Sequence, residues 1–348
     1  ARISHNGAVN AVQFSPDDTM LLTCSDDHSV SLWDLTRRRL LRRGIHDGVV
    51  NDAQFGPDQQ TYVSVSDDNT AKLWDLESGE ERLQVTHDDD VSRVDFHPTG
   101  GFFVTASEDG TAKLWETIQG ECLATFSHES DVRNALFSPD GSTIATCSND
   151  RTVRLWNTVM GEELYRWSHR DAVDNIDFSA DGRLVASASD DKTVRIWETE
   201  TGVESPLSPL VHRLDVDTAQ FSPDGEWLAT VADNEVRVWR FENFREPPQL
   251  FELAGITTGC LSPTGQWIAA AAEDGRIKQW QAETGKPRMP DVNHGAEVTE
   301  IAYSPDGNWL ITGDVSGKVR VWDAVTGQAV VHILNHDHPI AALVMPSN

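Results

Sequence analysis

Positive charge is what this chain has least of. Its 348 residues include 28 Lys and Arg against 56 Asp and Glu, a formal net charge of −28 at pH 7. Duplex nucleic acid and anionic membranes need a basic face and counterion release, so neither is an expected partner; a basic or neutral one is. Cysteine is scarce as well. Cys24, Cys122, Cys147 and Cys260 show no CxxC or other short pairing, which argues against a disulfide framework or a zinc site and for a reducing, cytoplasmic setting. No apolar run approaches the roughly 18–20 residues that span a bilayer, and no charged-then-apolar leader opens the chain. The first residue is Ala1 rather than Met, so the polypeptide is expected to continue beyond one or both ends.

Bulky apolar residues are plentiful. Twelve Trp and twelve Phe supply enough burial to offset ordering entropy, which excludes a disordered acidic chain. They are also periodic. Trp33, Trp74, Trp115, Trp156, Trp197, Trp239, Trp280 and Trp322 recur every 41 or 42 residues. Each closes a short alternating strand such as 193–197. Twenty-eight residues earlier stands His5, His46, His87, His128, His169 or His294, with His212 at 27 and Glu252 in the seventh unit.

Within a unit, Phe137-Ser138-Pro139-Asp140-Gly141 ends one strand in an aromatic and a Pro/Asp/Gly turn, and three more strands follow. Four strands per unit with no helical stretch make an all-β array. A four-stranded sheet cannot bury both faces alone, so the sheets must stack, and closing the stack into a ring protects their edges.

The pattern resembles the WD-repeat (WD40) β-propeller family over essentially the whole chain. The Trp-Asp dipeptide is literal at Trp33-Asp34, Trp74-Asp75 and Trp322-Asp323. The resemblance implies a single propeller of eight four-stranded blades, the alternative being seven blades plus an extra repeat. The repeats fall at about 5–45, 46–86, 87–127, 128–168, 169–211, 212–251, 252–293 and 294–335, with 336–348 the start of a ninth repeat or a closing strand. Near-regular units of this kind resemble the propellers of bacterial multidomain WD-repeat proteins.

The family's structural tetrad of His, Ser/Thr, Asp and Trp carries over to His5, Ser25, Asp27, Trp33; to His46, Ser66, Asp68, Trp74; to His87, Ser107, Asp109, Trp115; to His128, Ser148, Asp150, Trp156; and to His169, Ser189, Asp191, Trp197. Three units depart from it: Val231 stands in the Ser place of the sixth, Glu252 and Ala272 replace His and Ser in the seventh, and Ser316 stands where Asp is expected in the eighth. These repeated Ser, His and Asp sets are read as structural, since eight equivalent catalytic triads on one ring would have no rationale. No catalytic residue, cofactor or metal site is expected, including at His336-Asp337-His338, where neighbours on one loop do not converge on an ion without further ligands.

In the family, the third and fifth residues after the loop His and the residue before the turn Asp point to the surface around the channel mouth. Of these 24 positions eleven are acidic: Asp26, Asp67, Asp90, Glu108, Asp131, Asp174, Asp190, Asp215, Asp217, Glu273 and Glu297, with Arg133 the single basic one and no aromatic among them. Crowded carboxylates at a channel mouth focus a negative potential that draws Lys/Arg-rich segments. The expected function is a non-catalytic scaffold or sensor platform that binds a protein or basic peptide on this face. The alternative is a self-assembling propeller module, or one that contacts other domains of a longer chain, through the basic stretch Arg37-Arg38-Arg39-Leu40-Leu41-Arg42-Arg43. On the opposite face, Trp227, Trp267, Trp309 and Phe102 share one place in their repeats. They are read either as an exposed ridge or as packing between blades.

Overall fold

The computed structural model describes residues 4–232, 235–240 and 248–329. Within them the chain forms thirty-one strands in eight antiparallel sheets. In the first sheet the strand order follows the sequence, Val9–Phe14, Met20–Ser25, Ser29–Asp34 and Arg39–Ile45, and the next six repeat it. The first strands of successive sheets pack side by side, and that of the eighth, Val298–Tyr303, lies against Val9–Phe14. The result is a closed ring of eight blades around a central channel.

Strand periodicity explains why the ring forms. Within Met20–Ser25 every residue from Leu21 onward is buried, because alternate side chains face opposite neighbours. Leu21 and Trp33 pack on Ile311, Val319 and Val321 of blade eight, whereas Leu22, Val30 and Leu32 pack on Val50, Phe55, Tyr62 and Trp74 of blade two. Each blade is thus half of two cores and has no stable outer face without both neighbours. The fourth strand, one side in solvent, alternates: in Glu163–Ser168 only Trp167 is fully buried.

The turns follow from their residues. In Ser138-Pro139-Asp140-Gly141 the Ser138 hydroxyl donates to Asp140 at 2.7 Å and accepts the Thr143 N–H at 3.0 Å. Gly141 takes φ +73°, and a Cβ there would meet His97 Nε2 at 2.1 Å. The imidazole of His97 fills that space, edge-on to Phe102 and Phe137 at 5.6 and 5.1 Å.

Two details concern ring closure. Among the described residues the eighth sheet has three strands, and Ser4 bridges Lys318 along its outer edge, with the His5 N–H donating to Gly317 O at 2.7 Å. Ser4, just before blade one, therefore stands at the outer edge of blade eight. The proposed ninth repeat or closing strand, 336–348, and the His336-Asp337-His338 cluster lie outside the described residues.

Of the three tryptophans of the opposite face, Trp227 and Trp309 pack between blades. Trp227 is buried with Val236 and Phe251, with the Arg240 guanidinium 5.4 Å from its ring. Trp267 lies under Arg288 at 4.6 Å, and Trp309 packs against the core that closes the ring, as Phe102 does against the core between blades three and four. In the basic stretch, Arg37 pairs with Asp34 at 3.0 Å and Arg42 reaches across to the carbonyls of Glu77 and Ser78. Arg39 and Arg43 stay exposed on the outer edge of blade one.

Candidate functional site

Most blades place a hydrogen-bonded chain beneath the face here called upper, where the loop histidines gather. In blade three, His87 Nδ1 meets Asp109 at 2.9 Å, His87 Nε2 meets the Thr105 hydroxyl at 2.7 Å, and the Trp115 indole N–H donates to the same hydroxyl at 2.8 Å. The Asp88 N–H donates to Asp109 at 3.0 Å, tying the loop to the hairpin. Blades one, two, four and five repeat this through Thr23, Ser64, Thr146 and Ser187.

The hydroxyl in the chain is therefore not the one expected from the sequence. Ser25, Ser66, Ser107, Ser148 and Ser189 sit two residues further along the strand, beyond reach of the indole. Hairpin register decides this: Leu21 pairs with Trp33, Thr23 with Ser31 and Ser25 with Ser29, at the hairpin end. These serines accept the N–H of the turn aspartate, as Ser107 does from Asp109 at 3.1 Å, and so fix its orientation.

Two blades expected to lack the chain retain parts of it. In blade six, Thr230 serves both His212, at 3.1 Å, and Trp239, at 3.2 Å. In blade eight, Asp and Ser have exchanged places: Asp314 meets His294 Nδ1 at 3.1 Å, and the Ser316 hydroxyl donates to Asp314 at 2.8 Å. The Trp322 N–H still finds Thr312 at 2.9 Å. Blade seven is the one that loses it. Glu252 replaces the histidine and Ala270 stands in the Thr23 place, so Trp280 packs only by its ring, 5.4 Å from Phe251.

The electrostatics suit a static brace. Burial alone would raise the Asp109 carboxyl, but hydrogen bonds from Thr111, the Asp88 N–H and His87 outweigh it and hold it at about 2. Burial lowers His87 to about 4 against the pull of Asp109. The imidazole is neutral at pH 7, its Nδ1–H on the carboxylate and its Nε2 lone pair on the Thr105 hydroxyl. His87, Thr105 and Trp115 are all buried. Among the described residues no cluster of three His, Cys, Asp or Glu is placed to hold a metal ion.

Above these braces lie the acidic positions. Asp26, Asp67, Glu108, Asp215, Asp217, Glu273 and Glu297 are exposed, and Asp90, Asp131, Asp174 and Asp190 half-buried. Two groups come together. Burial and the carboxylates of Asp67, Asp89 and Glu108 raise the Asp90 carboxyl. Burial and then Asp174, within hydrogen-bonding reach, with Asp215 and Asp171 behind it, raise Asp190. Between the groups stands Arg133, 3.8 Å from Glu108 and 3.6 Å from Asp174. Asp26 and Asp67 accept from Asn10 and Asn51 at 2.9 and 2.6 Å, and Asp131 accepts from Asn149 at 2.9 Å. Glu273 and Glu297 join neither group through any hydrogen bond or ion pair among the described residues.

The fifth-after positions turn out to serve the ring. Asn10, Asn51, Ser92, Thr257 and Thr299 donate to main-chain carbonyls of the next blade's first strand, at Val50, Val91, Val132, Val298 and Val9. They satisfy an edge that would otherwise lie open in the channel. Blades four to six place Arg133, Asp174 and Asp217 at this position instead. The acidic arc is densest where neutral staples give way to charge.

Sequence reasoning missed the carboxylates deeper in the channel. The residue before the last aromatic of a first strand reaches over to the next blade: Gln13 accepts the Phe55 N–H at 2.8 Å, Asp95 that of Phe137 at 2.8 Å and Asp177 that of Phe221 at 2.7 Å. Burial raises Asp95 to about 6 and Asp177 to about 7, only partly offset by these bonds. Glu300, at a different place in the first strand of blade eight, is raised by burial to about 7, partly offset by the charge of Arg93. The available signal was an acidic residue at one fixed place in a strand whose alternate neighbours are apolar.

Comparison with known proteins agrees with the architecture. The family model described as WD domain, G-beta repeat matches residues 2–34, 40–75, 80–116, 120–157, 161–198, 205–240, 251–281 and 288–323. Among solved structures, the crystal structure of the computationally designed Ika8 protein superposes with a TM-score of 0.80 at 27% identity, covering 92% of this chain and 97% of that one. No curated protein matches the chain in sequence.

Proposed function

The chain belongs to the WD domain, G-beta repeat family, and from that premise we propose that it is a non-catalytic platform that takes up a basic peptide, or the basic surface of a partner protein, on the acidic arc of its upper face. WD40 propellers generally mediate protein–protein interaction and are generally non-catalytic scaffolds. The observation that carries the finer reading is the crowding of carboxylates over blades two to six. Asp67 and Glu108 raise the proton affinity of Asp90 on one side, and Asp174 and Asp215 raise that of Asp190 on the other, with Arg133 between them. A Lys or Arg side chain arriving there relieves a repulsion the free protein carries. The lack of aromatics at these positions disfavours base stacking on nucleic acid and an aromatic cage for methylated lysine. No described helix is long and apolar enough to cross a membrane, and the free cysteines accord with a reducing cytoplasm as the proposed setting.

A randomised peptide array probed at about 0.05 and 0.5 M salt tests this. The parent is expected to capture Lys/Arg-rich peptides at low salt and release them at high salt, and a variant with Asp90, Asp131, Asp215 and Asp217 as Asn to capture few. Equal capture by the variant would overturn the reading. The second reading is self-assembly. It draws on Arg39 and Arg43, exposed on the outer edge of blade one in a chain otherwise acidic, and concentration-dependent light scattering abolished by Arg39→Glu with Arg43→Glu would reveal it.

A further inference from the structure

The one blade without the brace is also where positive charge gathers. Between blades six and seven a cavity of about 390 Å³ is lined by Arg213, Arg276 and Lys278, with Leu214, Leu253 and Ala254 among its apolar walls. Three cations converging in a chain with half as many basic as acidic residues is a departure from its general character.

The origin of the cavity lies in the sequence of blade seven. In five blades the N–H after the loop histidine donates to the turn aspartate: from Asn6, Asp47, Asp88, Glu129 and Arg170, at 2.8 to 3.0 Å. With Glu252 in the histidine's place there is no imidazole N–H to hold Asp274. Its carboxylate keeps the bond from the backbone N–H two residues on, that of Arg276 at 3.1 Å, as the other turn aspartates do, and accepts from Arg276 Nε at 2.6 Å in place of the imidazole. The Leu253 N–H, buried and standing where those five stand, does not make the bond to the aspartate that they make.

The charges on the wall narrow the ligand. Arg276 is engaged by Asp274, Lys278 lies 3.4 Å from Asp291, and Glu235 is held by Arg237. Arg213 has no ion pair among the described residues. Glu235 and Glu252 also line the cavity, and with Arg276 and Lys278 already facing Asp274 and Asp291, Arg213 is the cation left for a ligand, which limits that ligand to one negative charge. A dianionic phosphate monoester would meet those two carboxylates. A single carboxylate would meet Arg213 by charge and the Leu253 N–H by hydrogen bonding. Behind it, Leu214, 43% exposed, and Ala254 offer an aliphatic wall.

We infer that this cavity binds a monocarboxylate on an aliphatic stem, the free C-terminus of a peptide ending in a residue such as leucine. The inference is independent of the acidic arc, because its ligand is an anion whereas the arc draws cations.

The probe is N-acetyl-Gly-Gly-Leu, as the free acid and as the amide, titrated into the isotopically labelled full chain and followed by the amide resonances of Leu253 and Ala254. The acid is expected to shift them saturably and the amide to bind at least about 5-fold more weakly. Arg213→Gln should weaken the acid about 5-fold or more, while Arg183→Gln, on an exposed turn of blade five, should not. Leu214→Glu, which puts a charge where the stem would lie, provides a second exposed substitution with the same expected loss. Equal binding of acid and amide, shifts confined to other residues, unchanged binding in Arg213→Gln and Leu214→Glu, or tighter binding of inorganic phosphate than of the acid would each overturn the inference.

Discussion

Replacing Thr105 with Val tests the internal brace at its centre. The substitution keeps the shape of the side chain and removes one hydroxyl, which accepts the Trp115 N–H at 2.8 Å and meets His87 Nε2 at 2.7 Å. Thr105 is fully buried and Trp115 and His87 are each 6% exposed, so water cannot take its place. A buried donor or acceptor left without a partner costs roughly 1–3 kcal/mol. Two such groups put the loss at about 2–5 kcal/mol. Ser107→Ala, two residues along the same strand, removes one bond to the Asp89 carbonyl and one from the Asp109 N–H, both at 3.1 Å. Those partners lie near the solvated rim, and the expected loss is about 1 kcal/mol. Urea unfolding followed by tryptophan fluorescence gives the totals, and hydrogen exchange shows whether the loss is confined to blade three. If Ser107→Ala proved as costly as Thr105→Val, the brace would run through the serine, and the register argument would be wrong.

Asp177→Asn should raise the thermal midpoint at pH 8 and leave it unchanged at pH 4. Burial places the folded carboxyl at about 7, well above its ordinary value, so its contribution is full below about pH 4 and is lost as pH rises through 7. The shift bounds the gain at about 4 kcal/mol, and since the side chain is half-buried screening reduces it to roughly 2. The brace aspartates run the other way. Asp109 and Asp314, each held at about 2, contribute stability above about pH 4 that is lost as pH falls toward 2, so calorimetry should find the thermal midpoint falling as pH drops from about 4 to 2. Gly141→Ala should cost 2 kcal/mol or more, since φ is +73° and the new methyl would overlap His97; a cost below about 0.5 kcal/mol in urea unfolding would contradict the turn geometry. Asp90→Lys should melt with the parent yet lose capture of basic peptides, whereas Asp109→Ala should melt several degrees lower. Equal damage from the two would place Asp90 in the brace rather than on the surface.

The architecture was legible because its period is written in large residues. Eight tryptophans at a spacing of 41 or 42, with histidines 28 before most of them, leave little freedom in counting blades. The brace was read one register step off. Thr23 and Ser25 lie on the same side of one strand and both carry a hydroxyl, and only the pairing of Leu21 with Trp33 shows which of them the indole reaches. Asp314 and Ser316 were misread for a related reason, because an exchange of the two preserves the chemistry while breaking the pattern. The channel carboxylates were not legible at all. Asp95 and Asp177 each act on the blade that follows, and an isolated acid in an alternating strand looks like a residue facing water. The cavity at blade seven was half visible. The loss of the histidine at 252 is plain in sequence, but the convergence of Arg213 with Arg276 and Lys278 needs two blades side by side.

The most direct test of the proposed function is the salt dependence of affinity for one basic probe peptide, measured on the parent and on a variant with Asp90, Asp174, Asp190 and Asp215 as Asn. If the arc is the docking surface, the parent's affinity falls steeply between about 0.05 and 0.5 M salt, while the variant binds at least about 10-fold more weakly at low salt and with a much shallower slope. Matching affinities and slopes in the two proteins would show that the arc is acidic without being the place where partners bind.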